Sequence, residues 1–159
     1  MAGKAKTSGT LTVRAVTEGD LPEWTAMGLK LWPHYKTKKR KLDLEFRRIL
    51  AAPRETAFFC EDKTGRPIGF INLSMRSDYV EGSSSSPVGY IEGVYVKPDY
   101  RRRGAAAKLV GAAKKWAKEN GCKELGSDTE LKNRDSQKFH RALGFKEAET
   151  IVHYIKKLR

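Results

Sequence analysis

Apolar positions recur every second residue in some stretches of the chain and every third or fourth in others, and the changes of period mark out the elements. Residues 11–16 (LTVRAV) alternate and predict a first strand. Asp20 reads as the cap of a helix with Leu21, Trp24, Gly28 and Leu31 on one face. Trp32-Pro33 ends that helix, because proline disfavours helical backbone in the residue before it. Leu42, Phe46, Ile49 and Leu50 predict a second helix, stopped at Pro53, and the link HYKTKKRK reads as basic and mobile. Residues 56–61 and 68–75 predict two strands joined by a short hairpin loop at 62–66. The polar stretch RSDYVEGSSSSP follows, carrying Tyr79, with its serines read as a spacer.

Residues 90–116 organise the rest. Aromatic and β-branched residues dominate 91–96, a buried strand in which Glu92 is the only charge. Arg101, Arg102 and Arg103 come next, and Gly104 opens a helix with Ala106, Leu109, Val110, Ala113, Trp116 and Ala117 in one apolar stripe. Asn120-Gly121 reads as its C-cap. A short strand at 123–127 leads to Asp128, a last helix spans 133–143 with Gly144 as its stop, and 150–155 (TIVHYI) predicts a closing strand. The order is β-α-α-β-β-β-α-β-α-β.

Composition narrows this. The chain of 159 residues suits one domain, read as 11–159 behind a flexible lead-in at 1–10 that lacks the apolar core of a secretory signal. No stretch approaches the ~20 apolar residues of a membrane span. Cys60 and Cys122 are far apart and His34, His140 and His153 are scattered, so no metal site is expected and the cysteines read as reduced thiols of a cytoplasmic protein. The net charge of +13, from 32 basic and 19 acidic residues, invites a nucleic-acid partner. The lysines are spread out, however, and no nucleic-acid motif accompanies them, so none is expected; a non-catalytic nucleic-acid-binding domain stays as a rival.

Strand, basic glycine-containing loop and helix N-terminus together make a place for phosphate. The first N–H groups of a helix lack internal partners, and the macrodipole adds partial positive charge. The spacing Arg101-x-x-Gly104-x-Ala106 is neither a P-loop nor a dinucleotide fingerprint. After an apolar strand, it resembles the pyrophosphate loop of the Gcn5-related N-acetyltransferases, which bind acetyl-coenzyme A. Asn133-x-x-Ser136-x-x-Phe139-His140-x-x-x-Gly144-Phe145 is similar to that family's segment lining the pantetheine arm. The resemblance implies an α/β fold of the α+β kind: a mixed central sheet, splayed between the fourth and fifth strands, with about four helices. Within the family, LWP at 31–33, SDYVEG at 77–82, IEGVYV at 91–96, SDT at 127–129 and SQKFHRALGF at 136–145 resemble the aminoglycoside 6'-N-acetyltransferases, which confer antibiotic resistance.

On matching positions the resemblance implies that Val94, Tyr95 and Val96 offer backbone groups to the acetyl and pantetheine units. Arg102, Arg103, Gly104, Ala105, Ala106 and Ala107 would wrap the pyrophosphate, and Asn133 would touch the pantetheine arm. Trp32, Tyr79, Glu92, Asp128 and Glu149 would receive the acceptor. The chemistry agrees, because a polycationic acceptor needs carboxylates and aromatic walls. Each acceptor residue also has a plainer reading: Glu92 a partnered core carboxylate, Asp128 a cap, Trp32 core, Tyr79 contact surface, Glu149 surface charge. The mechanism expected is direct attack. Glu92 or Asp128 takes the ammonium proton, alone or through water, and a backbone N–H near Val94, freed by a strand irregularity at Gly93, meets the oxygen that gains charge. Many family members carry a tyrosine acid where this chain has His140. A homodimer is implied, with the final strand extending a sheet across two chains. The same fold acetylating a polyamine or another small cationic amine is the nearer rival.

Overall fold

A computed structural model describes residues 9–159, so the lead-in expected at 1–10 lies almost wholly outside the described residues. Five strands form one sheet: β1 (Thr12–Ala15), β2 (Glu55–Glu61), β3 (Pro67–Arg76), β4 (Val88–Val96) and β5 (Leu125–Ser127). Neighbours follow in sequence order; the first four are antiparallel, and β5 runs parallel to β4. The helices are α1 (Leu21–Leu31), α2 (Lys39–Ala51), α3 (Ala105–Glu119) and α4 (Arg134–Ala142). This is the mixed sheet and helix set that the sequence predicts.

Each face of the sheet carries its own core. Helices α1 and α2 cover one side, where Trp24 stacks on Phe46 with ring centroids 4.0 Å apart, beside buried Met27, Phe59 and Phe70. Helix α3 covers the other, laying Ala105, Leu109, Val110 and Ala113 against Ile68, Ile71, Leu73 and Ile91. Ala105 rather than Ala106 leads the apolar stripe of α3.

Four local readings are corrected. Asp20 does not cap α1 with its side chain. Its carboxylate accepts from the Thr17 N–H at 2.8 Å and takes two bonds from Arg14, whose Nε also reaches Glu61 at 2.7 Å. The basic link is not a loose tether, since Pro33–Lys38 forms a 3-10 helix that runs into α2. The serine stretch is tied down, because Glu124 accepts from the Ser84 N–H at 2.8 Å and from the Ser85 hydroxyl. The closing strand at 150–155 does not form within this chain. A strand needs a neighbour for its N–H and C=O groups, and among the described residues no strand pairs with these residues. Ile151, Val152, Tyr154 and Ile155 stand exposed instead.

The Arg14 guanidinium, against the opposing effect of burial, holds the Asp20 carboxyl below the usual carboxylate range. A depressed folded-state pKa stabilises the protein above the unfolded value of ~3.9, and that stability is lost as pH falls through the folded value. Asp20→Asn is therefore expected to cost about 1–2 kcal/mol in urea melts at neutral pH. The deficit should begin to shrink below about pH 4, where the unfolded chain takes up the proton, and be gone below the folded value. A deficit independent of pH would show that the ion pair is not its source.

Candidate active site

The glycine at the head of α3 is held where only glycine is comfortable. Gly104 has φ +84°, and a Cβ placed on it would meet nothing within 4 Å. Arg102, two residues earlier, has φ 59°. The first intrahelical bond runs from the Lys108 N–H to the Gly104 carbonyl at 3.0 Å. The N–H groups of Ala105, Ala106 and Ala107 therefore have no partner inside the helix, next to the open room at Gly104. Arg101 is spent on the scaffold, donating from Nε to the Val96 carbonyl at 3.0 Å. Arg102 and Arg103 are exposed beside the open backbone. Two cations, unpaired N–H groups and empty room suit a diphosphate.

The second feature is an extra residue in β4. Leu73 pairs with Ile91 and Asn72 with Gly93, so Glu92 is bulged out of the ladder. This is the irregularity expected at Gly93. Pairing of β4 with β5 stops at Ile91 and Ser127, while β4 continues to Val96. The two parallel strands therefore part at the bulge; beyond it Val94, Tyr95 and Val96 pair with β3 on one edge, while among the described residues no strand pairs with their other edge. Trp32 closes over the same point: a Cβ on Gly93 would lie 2.5 Å from its ring. The ring also packs beside Phe46 and Phe70, so Trp32 is both core edge and site border.

Two carboxylates flank the parting, linked through Arg76 and Tyr90. Glu92 Oε1 accepts from the Ser74 hydroxyl at 2.5 Å and from Arg76 Nε at 3.1 Å, and Oε2 accepts from Arg76 Nη2 at 2.9 Å. Asp128 follows the last residue of β5, and its Oδ2 accepts from the Tyr90 hydroxyl at 2.5 Å. Its other oxygen accepts no bond among the described residues. Burial, and then the bond to Asp128, pushes the Tyr90 phenol above its ordinary range, so it remains a proton donor at neutral pH. The Arg76 guanidinium lies 3.4 Å from the centroid of the Tyr90 ring. Arg76, Tyr90, Asp128 and Glu149 all border one cleft of about 670 Å³ beside β5. Tyr79, 76% exposed, lies outside its walls.

Of the residues expected from sequence, Trp32 and Glu92 lie at the bulge, Asp128 is linked to Glu92 through Tyr90 and Arg76, Glu149 is on the cleft wall, and Tyr79 stays on an open loop. Asn133 Oδ1 accepts from the Ser136 N–H at 3.0 Å as the cap of α4, leaving its amide nitrogen to donate outward. Reasoning from sequence missed Arg76, Tyr90 and Ser127. Tyr90 shares a strand face with Glu92 two residues on, a signal that period-2 counting offers. Arg76 needs the register of β3 on β4, bulge included, which sequence does not print. Ser127 lies 2.8 Å from His140 Nε2, whose Nδ1 lies 2.7 Å from the Ser136 carbonyl. That carbonyl can only accept, so Nδ1 carries a proton. Both cysteines are buried, and burial raises the Cys122 thiol, which suits it poorly as an acyl carrier.

Comparison with known proteins follows this geometry. The model of the acetyltransferase (GNAT) family matches residues 16–145. An aminoglycoside N(6')-acetyltransferase type 1 of Serratia marcescens is 43% identical over 139 residues, covering 87% of this chain and 94% of that protein. One from Salmonella enteritidis is 38% identical, covering 92% and 99%. Among solved structures, AAC(6')-Iy in complex with the bisubstrate analogue CoA-S-monomethyl-acetylneamine superposes with a TM-score of 0.85 at 37% identity, covering 94% of this chain and 99% of that one. The 6'-N-acetyltransferase AAC(6')-Ih of Acinetobacter baumannii gives 0.88 at 33%, covering 94% and 100%.

Proposed function

The chain belongs to the acetyltransferase (GNAT) family, and we infer from that premise and the site that it is an acetyl-coenzyme A-dependent aminoglycoside 6'-N-acetyltransferase, an enzyme of antibiotic resistance. The observation that carries the acceptor is that Glu92 and Asp128, linked through Arg76 and Tyr90, flank the place where β4 and β5 part, next to a bulged backbone. A polycation needs carboxylates, and here they are local to the site within a chain whose net charge is +13. Screening over ~8 Å separates that local field from the distant lysines.

Acetyl-coenzyme A supplies the activated acetyl group and a thiolate that leaves. Arg102, Arg103 and the N–H groups of 104–107 bind its diphosphate, and Asn133 donates to its arm. Val94 to Val96 align it by backbone bonds, and the Val94 N–H meets the carbonyl oxygen as charge grows there. Asp128 takes the proton from the attacking amine, directly or through water, because one of its oxygens is open. Both oxygens of Glu92 are already occupied, so Glu92 holds rather than deprotonates. Trp32 and Glu149 border the acceptor, and Tyr79, on its open loop, does not line the cleft. The exposed apolar positions of 151–158 and the short edge strand β5 support a homodimer built by strand addition between copies. The cosubstrate and the reduced thiols support work in the cytoplasm.

The test is free-thiol release from acetyl-coenzyme A with tobramycin, kanamycin, spermidine or no acceptor. Release with the two antibiotics and not with spermidine supports the reading. Release with spermidine alone moves the acceptor to polyamines.

A further inference from the structure

Arg76 is a cation built into a site meant for cations. It is the last residue of β3, borders the cleft, and gives Glu92 two N–H bonds while its guanidinium covers the Tyr90 ring. Tyr90 in turn holds Asp128. One guanidinium therefore neutralises one of the two carboxylates and, through the ring it lies on, helps to fix the other. An acceptor ammonium approaching Glu92 would meet an arginine already seated there. An ammonium approaching Asp128 meets a phenol, which carries no competing charge.

We propose that Arg76 determines acceptor specificity: it keeps Glu92 as an occupied carboxylate, so that the ammonium to be acetylated is received at Asp128 and not at Glu92. This rests on the acceptor reading above and names the ammonium position within it. If Arg76 only held Glu92 in place for the acceptor, its removal would weaken acceptor binding. If it competes for Glu92, removal opens a second ammonium position. Binding then tightens, and turnover falls because the acceptor settles at the wrong carboxylate. The sign of the change in affinity therefore separates the two roles.

The experiment compares wild type, Arg76→Gln, Arg76→Lys and Arg76→Gln/Glu92→Gln. Calorimetric titration with kanamycin and with spermidine, without acetyl-coenzyme A, gives affinity independently of turnover. Steady-state kinetics with kanamycin give kcat and KM, and thermal melts check folding. Arg76→Gln is expected to bind at least one cation about tenfold tighter, with steeper salt dependence. Its kcat should fall, and the acetyl-coenzyme A KM should stay unchanged. Arg76→Lys keeps a cation and should stay near wild type, and the double variant should lose the gained affinity. Unchanged or weaker binding of both cations in a folded Arg76→Gln protein overturns the proposal. Tighter binding by Arg76→Gln, with no kanamycin turnover in wild type, would keep the competition at Glu92 and sink the antibiotic reading instead.

Discussion

Asp128→Asn is expected to lower kcat with kanamycin about 100-fold or more, the usual scale for loss of a general base. Asparagine keeps the shape and can still accept from the Tyr90 hydroxyl, but it cannot take a proton. Glu92→Gln should do less, about tenfold and mainly in acceptor KM, because the Glu92 oxygens already hold three bonds from Ser74 and Arg76. Those three bonds favour the charged form of Glu92 and tie it to Arg76, whereas Asp128 accepts one bond and keeps one oxygen open. The check is kcat against pH for wild type and both variants. If Asp128→Asn keeps the wild-type rate across pH and Glu92→Gln abolishes it, the roles are reversed. If both keep it, neither carboxylate takes the proton.

Gly104→Val carries the second large effect, on the other substrate. A β-branched residue at φ +84° is strained, by about 1–2 kcal/mol. The protein itself offers no clash there, so the melting temperature should fall by only several degrees. The isopropyl group would instead fill the space above the N–H groups of Ala105 to Ala107. The KM for acetyl-coenzyme A is expected to rise at least tenfold, since a charge-assisted bond is worth about 1.5–3 kcal/mol, while kcat at saturation and acceptor KM change little. An unchanged KM for acetyl-coenzyme A would remove this loop from the cosubstrate's path.

The parts of this molecule that are local in sequence were legible in it. The stripe of α3, the loop from Arg101 to Gly104 and the strand signal of β3 each lie within one window of chain, and each forms close to its expected place. The candidate site was legible to the extent that side chains announce their chemistry: a lone Glu92 in an apolar strand and Asp128 at a strand end. What surrounds them was not, because it depends on pairing across long separations. Arg76 reaches Glu92 only through the β3–β4 register, and Tyr90 reaches Asp128 only because β5 lies parallel to β4. The closing strand failed for a related reason. The alternation in TIVHYI is a sound strand signal, but a strand is a property of a pair, and among the described residues no strand pairs with it.

The bulge at Glu92 works like an inserted letter in a repeating code. Up to Ile91 the side chains of β4 alternate in phase with β3; past Gly93 the two strands are in step again, with one residue to spare. A single deletion at 92 or 93 would remove the bulge and leave a regular ladder, with Ile91 still on Leu73 and Val94 still on Ile71. Val94 and Tyr95, which pack with different cores, would keep their faces. The chain can therefore change length in the loop at 77–87 with local consequences only. At the bulge in β4, the loss of one residue would spare the core and erase the opening that makes the site.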